Sequence, residues 1–225
     1  NGQTARADGA ATSELFGYLI DHVAAKTAHP GDDVVSVLVG AEVDGRSLDR
    51  DELLIFLLAL LVAGNETTRT LISGGTLALF EHPAQRADLV AEPTLIPSAV
   101  EECLRWVTPI QAFARTVTAD TAIGGVEVKA LDYLIMLYAS GNRDEHAFGP
   151  TANVFDIRRD ANPPHLAFGF GEHLCLGAAL ARIETRILFE EMLNRHPDYV
   201  VAGEPQWVAS SLVRAMDSLP LAWDS

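Results

Sequence analysis

The feature that most constrains this chain is a helical pattern of unusual length. Ser47-Leu-Asp-Arg-Asp-Glu52 is rich in N-terminal capping residues, and helical periodicity then runs through Leu79 and Phe80 to a stop at Glu81-His-Pro83. About 33 residues at about 1.5 Å each span roughly 50 Å, enough to cross a whole domain. The pattern therefore predicts one central beam. Its apolar run, Leu53 to Gly64, is 12 residues long, whereas a membrane-spanning helix needs about 20. A buried core helix is expected, and no membrane span.

A second stretch, Phe168-Gly-Phe-Gly-Glu-His-Leu-Cys-Leu-Gly177, follows a different logic. After Cys175 the apolar positions Leu176, Ala179, Leu180, Ile183, Ile187 and Leu188 share one helical face, while Arg182, Glu184, Arg186 and Glu190 fall off it. Cys175 is thus expected at a helix N-terminus, where unpaired N–H groups and the helix dipole stabilise a negative sulfur and favour a lasting bond to a metal. Gly169, Gly171 and Gly177 let the backbone turn tightly and approach a flat ligand. Taken alone, the same residues also describe a structural thiol buried in a loop.

The acidic balance narrows the partners. Asp plus Glu is 31 and Lys plus Arg is 16, a formal charge of -15, which argues against nucleic acid or an anionic membrane. With 225 residues, 48% hydrophobic and 21% charged, one sizeable core in one or two domains is expected. Cys103 and Cys175 are the two cysteines. A disulfide between them would consume the candidate metal ligand, so a reducing, cytoplasmic setting is expected.

Other elements follow from periodicity and turn signals. Residues Asn1 to about Ala11 are expected to fray, and a helix is expected to carry Leu15, Leu19 and Val23. After a turn at His29-Pro-Gly-Asp32, the stretch Asp33 to Val39 suits a helix capped by Asp33, although its valines also suit a strand. Helices are predicted over Pro83 to Ala91 and Ser98 to Trp106. Small hairpins are predicted over Ala112 to Val117, Ala122 to Val128 and Tyr133 to Tyr138, with turns at Gly124-Gly125 and Leu131-Asp132. Tyr199-Val-Val-Ala, Gln206-Trp-Val and Ser211 to Pro220 read as terminal strands and a returning loop. The fold class is mainly α with small β-hairpins, built around one long central helix.

The pattern Phe-x-x-Gly-x-x-x-Cys-x-Gly, met by Phe168, Gly171, Cys175 and Gly177, resembles the haem-binding loop of the cytochrome P-450 family. Ala63, Gly64, Glu66 and Thr67 resemble that family's oxygen-activation motif within the long helix, where small residues leave room for a flat cofactor and dioxygen and Glu66 and Thr67 relay protons. By itself, Ala63-Gly-Asn-Glu-Thr-Thr68 equally describes a bent helix whose hydroxyls bond carbonyls one turn earlier. Glu102 and Arg105 are three apart on one helix face; alone they suit a surface pair worth about 0.2–0.5 kcal/mol, while the resemblance implies a buried pair completed by a third, cationic partner. The expected arginine position holds Val154, which leaves Arg158 or Arg159 for that role.

The resemblance implies further roles. Cys175 becomes the axial ligand of haem iron, its thiolate pushing density toward the metal. Arg115 and His173 hold haem propionates by charge-assisted hydrogen bonds, though Arg115 also suits a solvated strand and His173 a helix-capping donor. Asn142-Arg-Asp144 resembles a recurrent structural stretch. The loop near Leu212 and Val213, with Ile110 to Phe113, faces a hydrophobic substrate, so Ala63, Gln111, Phe113 and Val213 are candidate substrate contacts. The resemblance implies a soluble, bacterial-type monooxygenase that uses O2 and takes electrons from a separate ferredoxin and its reductase. The flavour of Ala-Gly-Asn-Glu-Thr-Thr-Arg69 and Leu-Val-Arg-Ala-Met216 resembles actinobacterial members that oxidise sterols or fatty acyl chains.

Two rivals remain at this level. One is a haem-thiolate binding or sensing protein without turnover; the other is a thiol enzyme using Cys175 with His173 as base, which lacks an evident third orienting group. Residues 1–225 resemble the C-terminal portion of a single P-450 domain, with the N-terminal half absent. Alone, that portion is expected to be inactive, to hold haem weakly or not at all, and to self-associate.

Overall fold

The computed structural model describes residues 2–223. The chain divides into two compact units, Asn1–Asn65 and Glu66–Ser225. The long helix passes through the division.

In the first unit, helix α1 (Gly2–Ala28) begins well before Leu15, so residues from Gly2 onward are helical where fraying is expected; Asn1 lies outside the described residues. Helix α2 (Val34–Val39) resolves the ambiguity of the valine stretch. Asp33 is its N-cap, accepting from the Ser36 amide at 3.0 Å, and the cap outweighs the strand preference of four valines. A two-stranded hairpin, β1 (Glu42–Val43) and β2 (Arg46–Ser47), turns at Asp44-Gly45. Helix α3 (Arg50–Glu81) then starts at a reciprocal capping box, in which Asp49 accepts from the Glu52 amide and Glu52 from the Asp49 amide, each at 2.9 Å. Leu53, Leu54 and Leu57 of α3 pack on Leu19 and Val23 of α1.

The run Leu53 to Gly64 is not the buried core helix its composition predicts. Ile55, Phe56, Leu61 and Val62 are exposed, and only 22% of the most apolar 18-residue window of α3 is buried. By length and composition alone, α3 is long and apolar enough to cross a membrane.

The second unit is organised around the other end of α3. Helices α4 (Pro83–Ala91) and α5 (Ile96–Val107) follow it. Leu71 and Leu79 of α3, Leu89 of α4, and Val100 and Leu104 of α5 share one core with Phe155, Phe189 and Tyr199. Gly75 permits this closure: a Cβ there would lie 2.9 Å from Phe189 and 3.1 Å from the Cys103 sulfur. Strands β3 (Ala112–Thr116) and β6 (Tyr133–Leu137) pair antiparallel, and the hairpin β4 (Thr121–Ile123) and β5 (Val126–Val128) lies between them in sequence. Short helices α6 (Tyr138–Gly141) and α7 (Glu145–Phe148) lead through an irregular segment to α8 (Ala178–Arg195). Near the C-terminus, β7 (Val200–Val201) pairs with β10 (Leu221–Ala222), and β8 (Gln206–Trp207) with β9 (Met216–Ser218).

The inward face of α8 differs from the expectation. Ala178, Thr185, Phe189 and Leu193 are buried, while Leu176, Leu180, Ile183 and Ile187 are exposed. The helix carries apolar stripes on two sides, and periodicity alone does not choose between them.

Candidate functional site

Cys175 is exposed, whereas Cys103 is fully buried and its thiol is pushed up by desolvation and the nearby Glu102. Cys175 does not stand on the first turn of α8. The helix begins at Ala178 with Gly177 as N-cap, so the thiol precedes the cap by two residues. Local hydrogen bonding accounts for the displacement. Residues Gly171–His173 form one 3-10 turn, the Cys175 amide donates to the Phe168 carbonyl at 2.9 Å, and the Cys175 carbonyl accepts from the Ala178 amide at 3.3 Å. Residues 168 to 175 therefore close into a loop that feeds directly into α8.

Glycine is required at two positions of that loop. Gly169 and Gly171 have φ of 67° and 65°, a left-handed conformation costing other residues roughly 1–2 kcal/mol. Gly177 has an ordinary φ of -83°; a Cβ there would lie 4.0 Å from the Cys175 sulfur, so its contribution is an open flank. Phe170, Leu174 and Leu176, close to Cys175 in sequence, are exposed. A lone soft thiol bordered by apolar side chains and bare glycine backbone fits a flat apolar macrocycle carrying one metal.

Glu102 and Arg105 form a buried lock, with side chains 1% and 2% exposed. Arg105 Nε and Nη2 lie 2.7 Å from the two Glu102 oxygens. Its Nη1 donates to the carbonyls of Asn142 and Ala152, both at 2.7 Å, and Nη2 also to Val154 at 3.0 Å. All five guanidinium protons are placed. The third cation is Arg159, whose Nε is 3.1 Å from Glu102 Oε2; Arg158 instead meets Asp88 and Glu92 on the surface. The Asp156 amide completes the Glu102 carboxylate at 2.8 Å. The lock reaches the loop through Asn142, whose Oδ1 accepts from the Leu166 amide at 2.6 Å. Beside it Arg143 donates to the Trp106 carbonyl and stacks on that ring at 3.7 Å; burial, with Arg105 and Arg214 nearby, lowers its pKa to about 10.

Ala63, Gly64, Glu66 and Thr67 all lie within α3, which stays helical through them. Both Glu66 oxygens converge on Arg69 Nη2, at 2.7 and 2.9 Å. On β3, Arg115 donates to the Ala114 carbonyl at 2.8 Å, and Phe113 packs edge-on to Tyr138 with centroids 6.1 Å apart. Gln111 and Val213 are brought together: Ile110 bridges to Val213, and the Gln111 amide donates to Leu212 at 2.8 Å. His173 is exposed at the end of the 3-10 turn and caps no helix.

Three residues escape sequence reasoning. Arg182 on α8 forks onto Glu101 of α5, with Nε to Oε1 at 2.6 Å and Nη2 to Oε2 at 2.9 Å. His165 Nε2 meets the same carboxylate at 3.2 Å. Burial tends to raise the Glu101 pKa, but hydrogen bonds from His165 and Arg182 outweigh it and hold the value at about 2. These side chains, with Phe168 and Leu174, line a cavity of about 380 Å³. No spacing rule flags them; only the fold brings residues 101, 165 and 182 together.

Comparison with known proteins agrees with this architecture. A family model described as Cytochrome P450 matches residues 22–197. A steroid C26-monooxygenase of Mycolicibacterium smegmatis is 44% identical over 185 residues, covering 82% of this chain and 45% of that protein. A methyl-branched lipid omega-hydroxylase of Mycobacterium bovis is 43% identical over 194 residues, covering 85% and 45%. The crystal structure of CYP109E1 from Bacillus megaterium, in complex with testosterone, superposes with a TM-score of 0.93 at 36% identity, covering all of this chain and 62% of that one. The chain spans about half the length of the curated relatives it matches.

Proposed function

The chain belongs to the cytochrome P450 family, and we propose that it is the C-terminal portion of a haem-thiolate monooxygenase acting on a hydrophobic substrate. The observation that carries the reading is the exposed Cys175 thiol, held on a loop of left-handed glycines and flanked by exposed apolar side chains. Cys175 would hold the iron, with Phe168, Gly171 and Gly177 shaping the loop and Arg115 and His173 pairing with the propionates. Bound there, iron protoporphyrin supplies the redox chemistry that inserts one atom of O2 into a C–H bond and reduces the other to water.

The chain's own contribution is positioning and proton supply. Thr67 donates from its hydroxyl on the substrate side, and Glu66, half-buried on the preceding position, links it to solvent. Arg69 competes for Glu66, but an ion pair of this exposure and spacing is worth about 0.2–0.5 kcal/mol. It can therefore open during turnover at small cost. Ala63, Gln111, Phe113 and Val213 are proposed to meet the substrate. Relatives named for oxidising a steroid and a branched lipid support a sterol or fatty acyl substrate. A ferredoxin and its reductase are the proposed electron donors, in the cytoplasm. Residues 1–225 are proposed to form part of a single domain, without turnover by themselves.

The deciding experiment is the ferrous–carbonyl absorption spectrum of the intact parent protein. Thiolate ligation predicts a strongly red-shifted Soret band, and its absence in haem-loaded protein would overturn the reading.

A further inference from the structure

We infer that Glu101, His165 and Arg182 act as positioning residues for the thiolate loop, gripping its Phe168 end independently of the Glu102–Arg105–Arg159 lock. The inference rests on the haem-thiolate reading for its functional meaning, but its geometry stands without it.

The Arg182 guanidinium, fixed by its fork onto Glu101, lies over the Phe168 ring at 4.7 Å from the centroid. Phe168 supplies the carbonyl that accepts the Cys175 amide at 2.9 Å. A displacement of Phe168 is therefore a displacement of the residue bearing the sulfur. His165 holds the same end from the other side: its Nδ1 accepts from the Ala167 amide at 3.2 Å while Nε2 faces Glu101 at 3.2 Å, and its ring packs on Phe168 at 5.7 Å. These two bonds assign the Nε2–H tautomer, since Nδ1 must offer a lone pair to Ala167.

The grip joins three separate elements, α5, the segment before the loop, and α8. The lock around Glu102 reaches the loop through Asn142 and Leu166. The Glu101 grip reaches it through Ala167 and Phe168. The two carboxylates are adjacent in sequence, yet they serve different arginines: Glu101 pairs with Arg182, and Glu102 with Arg105 and Arg159. A planar fork matters here, because one guanidinium must pair with both carboxylate oxygens while stacking on a ring; an ammonium group cannot do both.

The test is local amide hydrogen exchange in the haem-free intact protein, followed by the carbonyl spectrum of the haem-loaded form. In Arg182→Gln, exchange at Ala167 and Cys175 should speed roughly tenfold, the scale of one lost charge-assisted hydrogen bond, while the α4 and α5 amides keep wild-type rates. Arg186→Gln, which removes a charge one turn on, should change neither. Phe168→Leu keeps the Glu101–Arg182 pair and should loosen the same two amides, so the inference stays decidable if Arg182→Gln fails to fold. Unchanged Ala167 and Cys175 exchange in Phe168→Leu, or in a folded Arg182→Gln, overturns the grip. In the loaded protein, the variants should lose part of the red-shifted band that wild type shows; full retention of that band with a loosened loop would also overturn the positioning role. A wild-type protein with no red-shifted band would defeat the haem-thiolate reading instead, a result separate from the exchange data.

Discussion

Arg105 and Arg159 converge on one carbonyl oxygen, that of Val154, with Nη2 donors at 3.0 and 2.7 Å. Two like charges meet there because the Glu102 carboxylate lies between them and bonds to both. Where the family resemblance leads one to expect an arginine at position 154, this chain uses the backbone of Val154 and brings the cation from Arg159.

Removing Glu102 would leave both guanidinium groups without their counterion. Glu102→Ala should cost about 3–5 kcal/mol, the range for an uncompensated buried charge, where an exposed pair at this spacing would cost no more than about 0.5 kcal/mol. Arg159→Ala should cost clearly more than Arg158→Ala, whose partners are on the surface. Denaturant midpoints measure all three. Near-wild-type stability of Glu102→Ala would return the pair to a surface role.

The lock shows how far sequence reasoning reached and where it stopped. The spacing of Glu102 and Arg105, the Cys175 loop and the capping residues of α2 and α3 are local signals, and the elements they predict are present. The choice between Arg158 and Arg159 depends on which side chain turns inward from one irregular segment, which no periodicity encodes. The β1–β2 hairpin has a readable local signal, Asp44-Gly45 between short extended pairs. The buried face of α8 is not legible in periodicity, because the helix is apolar on two sides. Glu101, His165 and Arg182 have no sequence signature, being assembled by tertiary packing.

Thiol accessibility provides a direct check of the loop. A thiol reagent should modify one cysteine in the folded protein and two after denaturation, because Cys103 is fully buried and its thiolate is disfavoured. Cys175→Ser should abolish the fast reaction in the folded protein. In the haem-loaded parent the same variant should lose the red-shifted carbonyl band, since a hydroxyl is a poor donor to the metal. A fast-reacting thiol that survives Cys175→Ser would contradict the burial of Cys103.

Thr67→Ala in the full-length, haem-loaded protein should keep haem binding and divert electrons from product to hydrogen peroxide, since the positioned hydroxyl donor is gone. Product formed per NADPH consumed is the measurement. A yield equal to wild type would remove Thr67 from the proton path.

Acid should release the Glu101 grip within a defined window. The folded-state pKa of Glu101 lies at about 2, below the ordinary value of 4.5. Its ionised form therefore stabilises the fold above about pH 4.5, and that contribution is lost as pH falls through about 2. The stability gap between wild type and Glu101→Gln should be constant above about pH 5 and close toward about pH 2. A gap that persists at the acid end would show that Glu101 acts through packing rather than charge.

The last prediction concerns the bare apolar surface of the 225-residue chain. Leu176, Leu180, Ile183 and Ile187 form an exposed stripe along α8 and the residue preceding its cap. Such residues recur every three or four positions on the side opposite the packed Phe189 and Leu193. Burying each of these side chains would contribute about 1.5–3 kcal/mol, and continuous patches of this kind promote association. The chain alone should therefore associate with increasing concentration in sedimentation velocity. Leu180→Glu combined with Ile183→Glu should shift it toward monomer, because a partner surface would have to desolvate two carboxylates. Both positions are exposed, so the folded core has no part in the effect. A wild-type chain that sediments as a monomer at every concentration would show that this stripe does not drive self-association.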